Sequence, residues 1–200
     1  YPLVEHIASF GKPMIISTGM NNLASISKTV DIVRKNKIPF ALLHCTNIYP
    51  TPSHLVRLGA MNEIQKEFPD AEFILNGGIK TAEQAVDELS RVSGIMMGRT
   101  IYQNPFLLAE IESRIYTTAL PDRQTIIEQY RKYMADQLSQ GARLKYMTRH
   151  LLGLYLGQPG ARAYRRFLSE NMFSETAGIG VFDQARQYIP SPANERTSLC

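Results

Sequence analysis

Short apolar runs alternate with helical stripes along the first 120 residues. Pro13-Met14-Ile15-Ile16, Pro39 to His44, Glu72 to Asn76 and Ile95 to Met97 are brief, mostly apolar and bounded by Pro, Gly or polar residues, as buried parallel strands are. Between them the spacing changes to the helical period. Asn22 is placed to cap a helix carrying Leu23, Ile26, Val30 and Val33, and a second from about Ser53 to Glu67 carries Leu55, Leu58, Met61 and Ile64. A third covers 81–92 on Ala82, Ala85, Val86 and Leu89; residues 2–10 read as the tail of a helix. Asn104-Pro105 reads as an N-cap with Pro at the first helical position, ahead of Phe106, Leu107 and Ile111. Four β-α units in series make a parallel sheet with right-handed crossovers, and a full barrel needs eight strands. The expectation is therefore an α/β chain whose residues 1–118 form half of a TIM-type (β/α) barrel. After Pro121 the alternation stops. Residues 122–139, 142–156, 160–172 and 179–188 read as helices joined by Gly or Pro turns, an all-helical domain over 119–188. The remainder, 189–200, is polar and aperiodic and is expected to be disordered.

The third and fourth strands end alike. Ile74-Leu75-Asn76-Gly77-Gly78 and Ile95-Met96-Met97-Gly98-Arg99 both run from apolar residues into glycine, and each precedes a helical pattern. Gly77 and Gly78 let an anion approach backbone N–H groups, the helix from Thr81 turns its positive end toward the same place, and Arg99 brings a bidentate fork. Consecutive glycine-ended strands of this kind form the usual phosphate site of a (β/α) barrel at its seventh and eighth strands. The plain alternative is a pair of tight turns that need left-handed glycines.

Composition narrows the class without changing this picture. The 200 residues are 44% hydrophobic and 20% charged, as in ordinary globular proteins. No apolar run is long enough to span a bilayer as a helix, so no membrane partner is expected. Cys45 and Cys200 cannot supply a disulfide framework, which makes a reducing cytoplasm the default. The chain opens on Tyr1, directly before a helix-like segment, which points to a fragment. The net charge of +4 is concentrated: 121–173 holds nine Lys and Arg against four Asp and Glu, and no acid lies between Gly141 and Ser169. Lys145 and Arg149 are spaced i, i+4 opposite a stripe of Leu144, Met147, Leu151 and Leu154. Arg162, Arg165 and Arg166 share a face opposite Tyr164, Phe167, Leu168 and Met172. Five cations without neighbouring acids suit a phosphate backbone, though a merely solvated face has the same composition.

Two family resemblances divide the chain. From about 72 to 188 it resembles the A-type tRNA-dihydrouridine synthases, through Leu75-Asn76-Gly77-Gly78-Ile79-Lys80-Thr81, Met96-Met97-Gly98-Arg99, Tyr102-Gln103-Asn104-Pro105 and Thr148 to Leu154. The longest shared word is Gly157-Gln158-Pro159-Gly160-Ala161-Arg162-Ala163-Tyr164-Arg165-Arg166, followed by Leu168-Ser169-Glu170-Asn171-Met172. The resemblance implies a flavin-mononucleotide (FMN) barrel with a helical tRNA-binding domain, in enzymes that reduce uridines of tRNA with NADPH. It implies that Asn76, Gly77, Gly78, Gly98 and Arg99 hold the flavin phosphate and ribityl region. Lys145, Arg149, Arg162, Arg165 and Arg166 would then face tRNA, an assignment that rests more on charge than on a family motif. From 2 to about 70 the chain resembles the N-acetylneuraminate (sialic acid) synthases, through Gly11-Lys12-Pro13, Ile16-Ser17-Thr18-Gly19-Met20 and Leu42-Leu43-His44-Cys45-Thr46-Asn47-Ile48-Tyr49-Pro50-Thr51-Pro52. That family condenses phosphoenolpyruvate with N-acetylmannosamine on a divalent metal, and the resemblance places Asn47 and Tyr49 on the sugar. The switch falls near 67–73, and the barrel register survives it. The chain is an apparent chimera, by recombination, by design or by an error of sequence assembly.

Neither chemistry is complete in the sequence. The resemblance calls for a general-acid Cys outside these words, and Cys45 lies in the other family's motif, where it reads as a small buried hydrophobe. The metal-binding histidine words of the sialic acid synthases do not follow, and His6, His54 and His150 have no ligand spacing. The expectation is no catalytic residue and no metal, with FMN and tRNA as the bound species. Alternatives are a sialic acid synthase-like condensation and a non-catalytic RNA-binding module. A half-barrel also leaves sheet edges that favour self-association.

Overall fold

The computed structural model describes residues 1–46, 48, 52 and 58–190. It divides into two compact units, the first ending at Gly98 and the second beginning at Arg99.

The first unit is the parallel α/β half-barrel. Its elements run α1 (Pro2–Ala8), β1 (Met14–Ser17), α2 (Leu23–Lys35), β2 (Phe40–His44), α3 (Leu58–Glu67), β3 (Glu72–Asn76), α4 (Ala82–Leu89) and β4 (Gly94–Met96). The strands pair in sequence order, β1-β2-β3-β4, and all are parallel. Consecutive pairing with right-handed crossovers puts every connecting helix on one face of the sheet. That face carries Phe40, Leu42, His44, Phe73 and Leu75, all buried, and the helices supply buried Ile26, Val30, Val33, Met61, Ile64, Ala82 and Ala85. Strand residues of the other parity line the opposite face: Ile15 (68% exposed) on β1, Leu43, Ile74, and Met96 (49% exposed) on β4. Among the described residues of this unit no helix covers them, as expected of half a barrel turned toward its own interior.

Local chemistry sets the helix starts. Asn22 Oδ1 accepts from Ser25 N at 2.9 Å to begin α2. Arg34, at the end of α2, donates to both oxygens of Asp70 just before β3, at 2.9 and 2.5 Å, and pairing with Arg34 holds the Asp70 carboxyl below its usual range. The helix expected over 53–67 is described only as α3; its first five residues lie outside the described residues.

The second unit is helical: α5 (Arg99–Gln103), α6 (Phe106–Ile115), α7 (Arg123–Ser139), α8 (Leu144–Thr148), α9 (Ala161–Asn171) and α10 (Ile179–Arg186). Its core joins Ile127 and Met134 of α7, Leu144 and Met147 of α8, Tyr164 and Leu168 of α9 and Phe182 of α10, with Leu154 and Tyr155. Arg131 grips Asp183 bidentately at 2.7 and 2.6 Å, and Arg186 reaches Glu128 at 2.6 Å, so α7 and α10 are tied by charge as well as packing.

The helix expected over 142–156 does not form as such. Only α8 is helical, and 149–160 passes through successive turns whose N–H groups reach three residues back, Leu151 to Thr148, Leu154 to Leu151 and Gln158 to Tyr155. The run buries the sequence neighbours Leu154 and Tyr155 in the core of the unit. Gly153 also lies against the Gln103 carbonyl, where a Cβ would come within 1.8 Å of the oxygen. Tertiary packing here overrides a helical pattern.

Candidate functional site

Two features could carry function, one in each unit. In the first, β3 and β4 pair in register with Asn76 opposite Met96, so the two strand ends leave the sheet side by side. Gly77 and Gly78 follow with φ of 119° and 79°, a left-handed pair that L side chains resist. Nothing lies within 4 Å of the position a Cβ would take at either. The glycines therefore answer a backbone demand, and the space over the loop is open to a ligand. Thr81 Oγ1 accepts from Gln84 N at 3.2 Å, and Gln84 Oε1 accepts from Lys80 N at 2.9 Å. This reciprocal cap fixes the loop to the start of α4. The Thr-x-x-Gln spacing signalled it in the sequence, yet Gln84 stands outside the expected site. Gly98, two residues beyond β4, is exposed and open in the same way. Arg99 is exposed and opens α5 in the second unit. The loop thus fits an anionic group in conformation and access. Asn47 and Tyr49 lie outside the described residues.

Near the same ends of β1 and β2, Ser17 Oγ stands 2.9 Å from Cys45 Sγ. The thiol is half-buried beside a hydroxyl, which corrects its reading as a simple buried hydrophobe. His44 faces the helix-covered side, where burial pushes its pKa down, and its Nε2 has no hydrogen-bond partner among the described residues. Among the described residues no three His, Cys, Asp or Glu side chains are grouped to hold a metal ion. No helix among them is long and apolar enough to cross a membrane.

In the second unit, α9 begins at Gly160 (φ 79°) and turns Tyr164 and Leu168 into the core. That leaves Arg162, Arg165 and Arg166 exposed. On α8, Leu144 and Met147 are buried, Lys145 is half-buried and Arg149 is exposed. The two helices pack through Thr148 Oγ1, 3.4 Å from Met172 Sδ, and through Tyr164 Oη, which donates to the Leu151 carbonyl at 3.2 Å. The unit's ion pairs use other cations: Arg131 with Asp183, Arg143 with Glu175 and Arg186 with Glu128. Among the described residues no carboxylate lies within 4.0 Å of Lys145, Arg149, Arg162, Arg165 or Arg166. A surface with cations in excess attracts a polyanion and is screened by salt.

The fold and these features define a parallel (β/α) half-barrel followed by a basic helical unit. Similarity to known proteins points to two families. The sequence model of the NeuB family matches residues 1–74. The chain is 42% identical to a tRNA-dihydrouridine(20/20a) synthase of Vibrio cholerae over 130 residues, 64% of this chain and 40% of that protein. It is 36% identical to the enzyme of that name from Pseudomonas syringae over 136 residues, 67% of this chain and again 40% of the relative. The chain thus spans about two fifths of the length of the curated relatives it matches. Among solved structures, an N-acetylneuraminic acid synthetase from Leptospira borgpetersenii is similar at 26% identity with a TM-score of 0.45, over 51% of this chain and 36% of that one. A spore coat polysaccharide biosynthesis protein of Bacillus subtilis is similar at 22% and 0.43, over 47% and 27%. The chain thus combines a NeuB-like start, residues 1–74, with similarity to tRNA-dihydrouridine synthases over about two thirds of its length.

Proposed function

We propose that this chain carries the FMN-phosphate loop and the tRNA-binding unit of a tRNA-dihydrouridine synthase, grafted onto a sialic acid synthase-like start. The observation that carries this proposal is the exposed arginine cluster of α9, Arg162, Arg165 and Arg166, built by the same word that resembles that family and accompanied on the helix by one acid, Glu170. With Lys145 and Arg149 it would hold the phosphate backbone of tRNA by charge, independently of sequence. Asn76, Gly77, Gly78, Gly98 and Arg99 would hold the phosphate and ribityl end of FMN. Bound there, FMN would supply the hydride, drawn from NADPH, that reduces a uridine. The chain's own part is to present the loop backbone to an anion and to position RNA. No residue of it is assigned to proton donation, so catalysis by the chain alone is not expected.

Reversing Arg162, Arg165 and Arg166 to Glu is expected to abolish tRNA binding while leaving the far-UV circular dichroism unchanged. Undiminished binding would refute the assignment. Equilibrium dialysis with FMN tests the loop separately, and a preparation indifferent to FMN but competent for tRNA would leave a non-catalytic RNA-binding module. The match of residues 1–74 favours one further reading, condensation of phosphoenolpyruvate with N-acetylmannosamine. No phosphoenolpyruvate consumption is expected, because the metal-binding histidine words are missing from the sequence. Finally, β1 and β4 end the sheet and its apolar second face is bare within the unit, so the chain is proposed to self-associate there. A monodisperse monomer by sedimentation would contradict that.

A further inference from the structure

The basic unit also carries exposed rings, placed among its cations. On α8 the Lys145 ammonium lies 5.1 Å from the centroid of the Tyr146 ring, and Tyr146 is 54% exposed. One turn on, Arg149 N bonds back to the Lys145 carbonyl, so residues 145 and 149 stand one helical turn apart. Arg149 Nε is 3.1 Å from His150 Nε2. His150 in turn meets Tyr102 edge to face, with centroids 5.7 Å apart, and Tyr102 is 56% exposed. Tyr146, Lys145, Arg149, His150 and Tyr102 thus form a strip with two cations at its middle and rings at both ends. All five are described residues of the second unit.

Burial does not explain these rings. A tyrosine that stabilises a core hides its ring and leaves at most its hydroxyl in water, as Tyr155 and Tyr164 do in this unit. Tyr102 and Tyr146 leave about half their surface in solvent, beside positive charge. A rigid aromatic face next to Lys or Arg is the chemistry that takes an unstacked nucleobase, the ring stacking on the base while the cation holds the neighbouring phosphate. A fully paired A-form helix offers no free base faces and would be met by the cations alone.

We infer that Tyr146 and Tyr102, with His150, form a stacking platform for unpaired RNA bases, so that this surface prefers single-stranded or loop RNA over a continuous duplex. The inference rests on the proposed RNA binding and deepens it. The test uses the full chain and two probes, an oligouridylate and a blunt RNA duplex with an equal number of phosphates. Binding is followed by fluorescence anisotropy at one salt concentration. Tyr146→Ala and Tyr102→Ala are each expected to weaken the single-stranded probe on the order of ten-fold and to leave the duplex within about two-fold. Tyr146→Phe and Tyr102→Phe keep the ring and are expected to bind as the parent does. Both tyrosines are exposed, so truncation leaves no core cavity. Equal losses on the two probes, or no loss on the single strand, would overturn the platform while leaving the arginine-face reading intact. A parent chain that binds neither probe would overturn both.

Discussion

Three glycines of the second unit separate two costs that usually come mixed. Gly157 has φ 81° with nothing within 4 Å of the place a Cβ would occupy, so alanine there would suffer backbone strain alone. Gly153 has no left-handed φ, but its Cβ would lie 1.8 Å from the Gln103 carbonyl oxygen, so alanine there would suffer collision alone. Gly160 combines φ 79° with a Cβ 1.8 Å from the Tyr188 carbonyl oxygen. A left-handed L-residue costs roughly 1–2 kcal/mol. Forcing an atom into packed backbone costs typically about 1–3 kcal/mol, because carbonyls of neighbouring segments cannot swing aside as a flexible side chain can. The expected losses for alanine are therefore about 1 kcal/mol at Gly157, about 2 kcal/mol at Gly153 and about 3–4 kcal/mol at Gly160. A domain has only about 5–15 kcal/mol in total. Urea unfolding of the three variants, followed by circular dichroism with tyrosine fluorescence as a second probe, reads the order directly. Gly157→Ala proving as costly as Gly160→Ala would refute the close approach of α9's start to the Tyr188–Ile189 backbone. A harmless Gly153→Ala would refute the packing of the 149–160 turns against α5.

Two pH dependences follow from the perturbed groups. Arg131 holds the Asp183 carboxyl below its ordinary value of 3.8, so this pair stabilises the unit above about pH 4 and the contribution is lost as pH falls through the depressed native value. Both side chains are about a third exposed, so solvent screening keeps the pair's contribution small; Asp183→Asn should lower the unfolding midpoint slightly at pH 7 and flatten its fall below pH 4. His44 is buried neutral, with its pKa pushed below 6.5 by desolvation, so the unfolded chain takes up a proton that the native chain resists. Stability of the first unit should be full above pH 6.5 and decline as pH falls beneath it. His44→Leu should remove that decline at no cost at pH 7, since it also removes an unpartnered buried nitrogen; a decline that survives the substitution would refute the cause.

Much of the first unit was legible because its signals are local. Four short apolar runs became four parallel strands, and Asn22 and Thr81 cap the helices that their spacing announced. The adjacency of the Gly77-Gly78 and Gly98 ends followed from strand order, which sequential right-handed crossovers nearly dictate. On α9 the period-3.6 burial of Tyr164 and Leu168 also fixed the outward arginines. The failures came from non-local packing. Residues 149–160 keep a helical stripe in sequence, but they run as turns, with Gly153 packed against the Gln103 carbonyl. The Ser17–Cys45 contact and the pairing of His150 with Tyr102 join residues 28 and 48 positions apart, and nothing local marks either.

The salt dependence of tRNA binding tests the central claim most directly. If five cations, Lys145, Arg149, Arg162, Arg165 and Arg166, displace counterions from RNA, a plot of log K against log salt should fall with a slope of about −3.5 to −4.5. Reversing the three arginines of α9 should remove most of it. A slope near zero, or one indifferent to that reversal, would contradict the account.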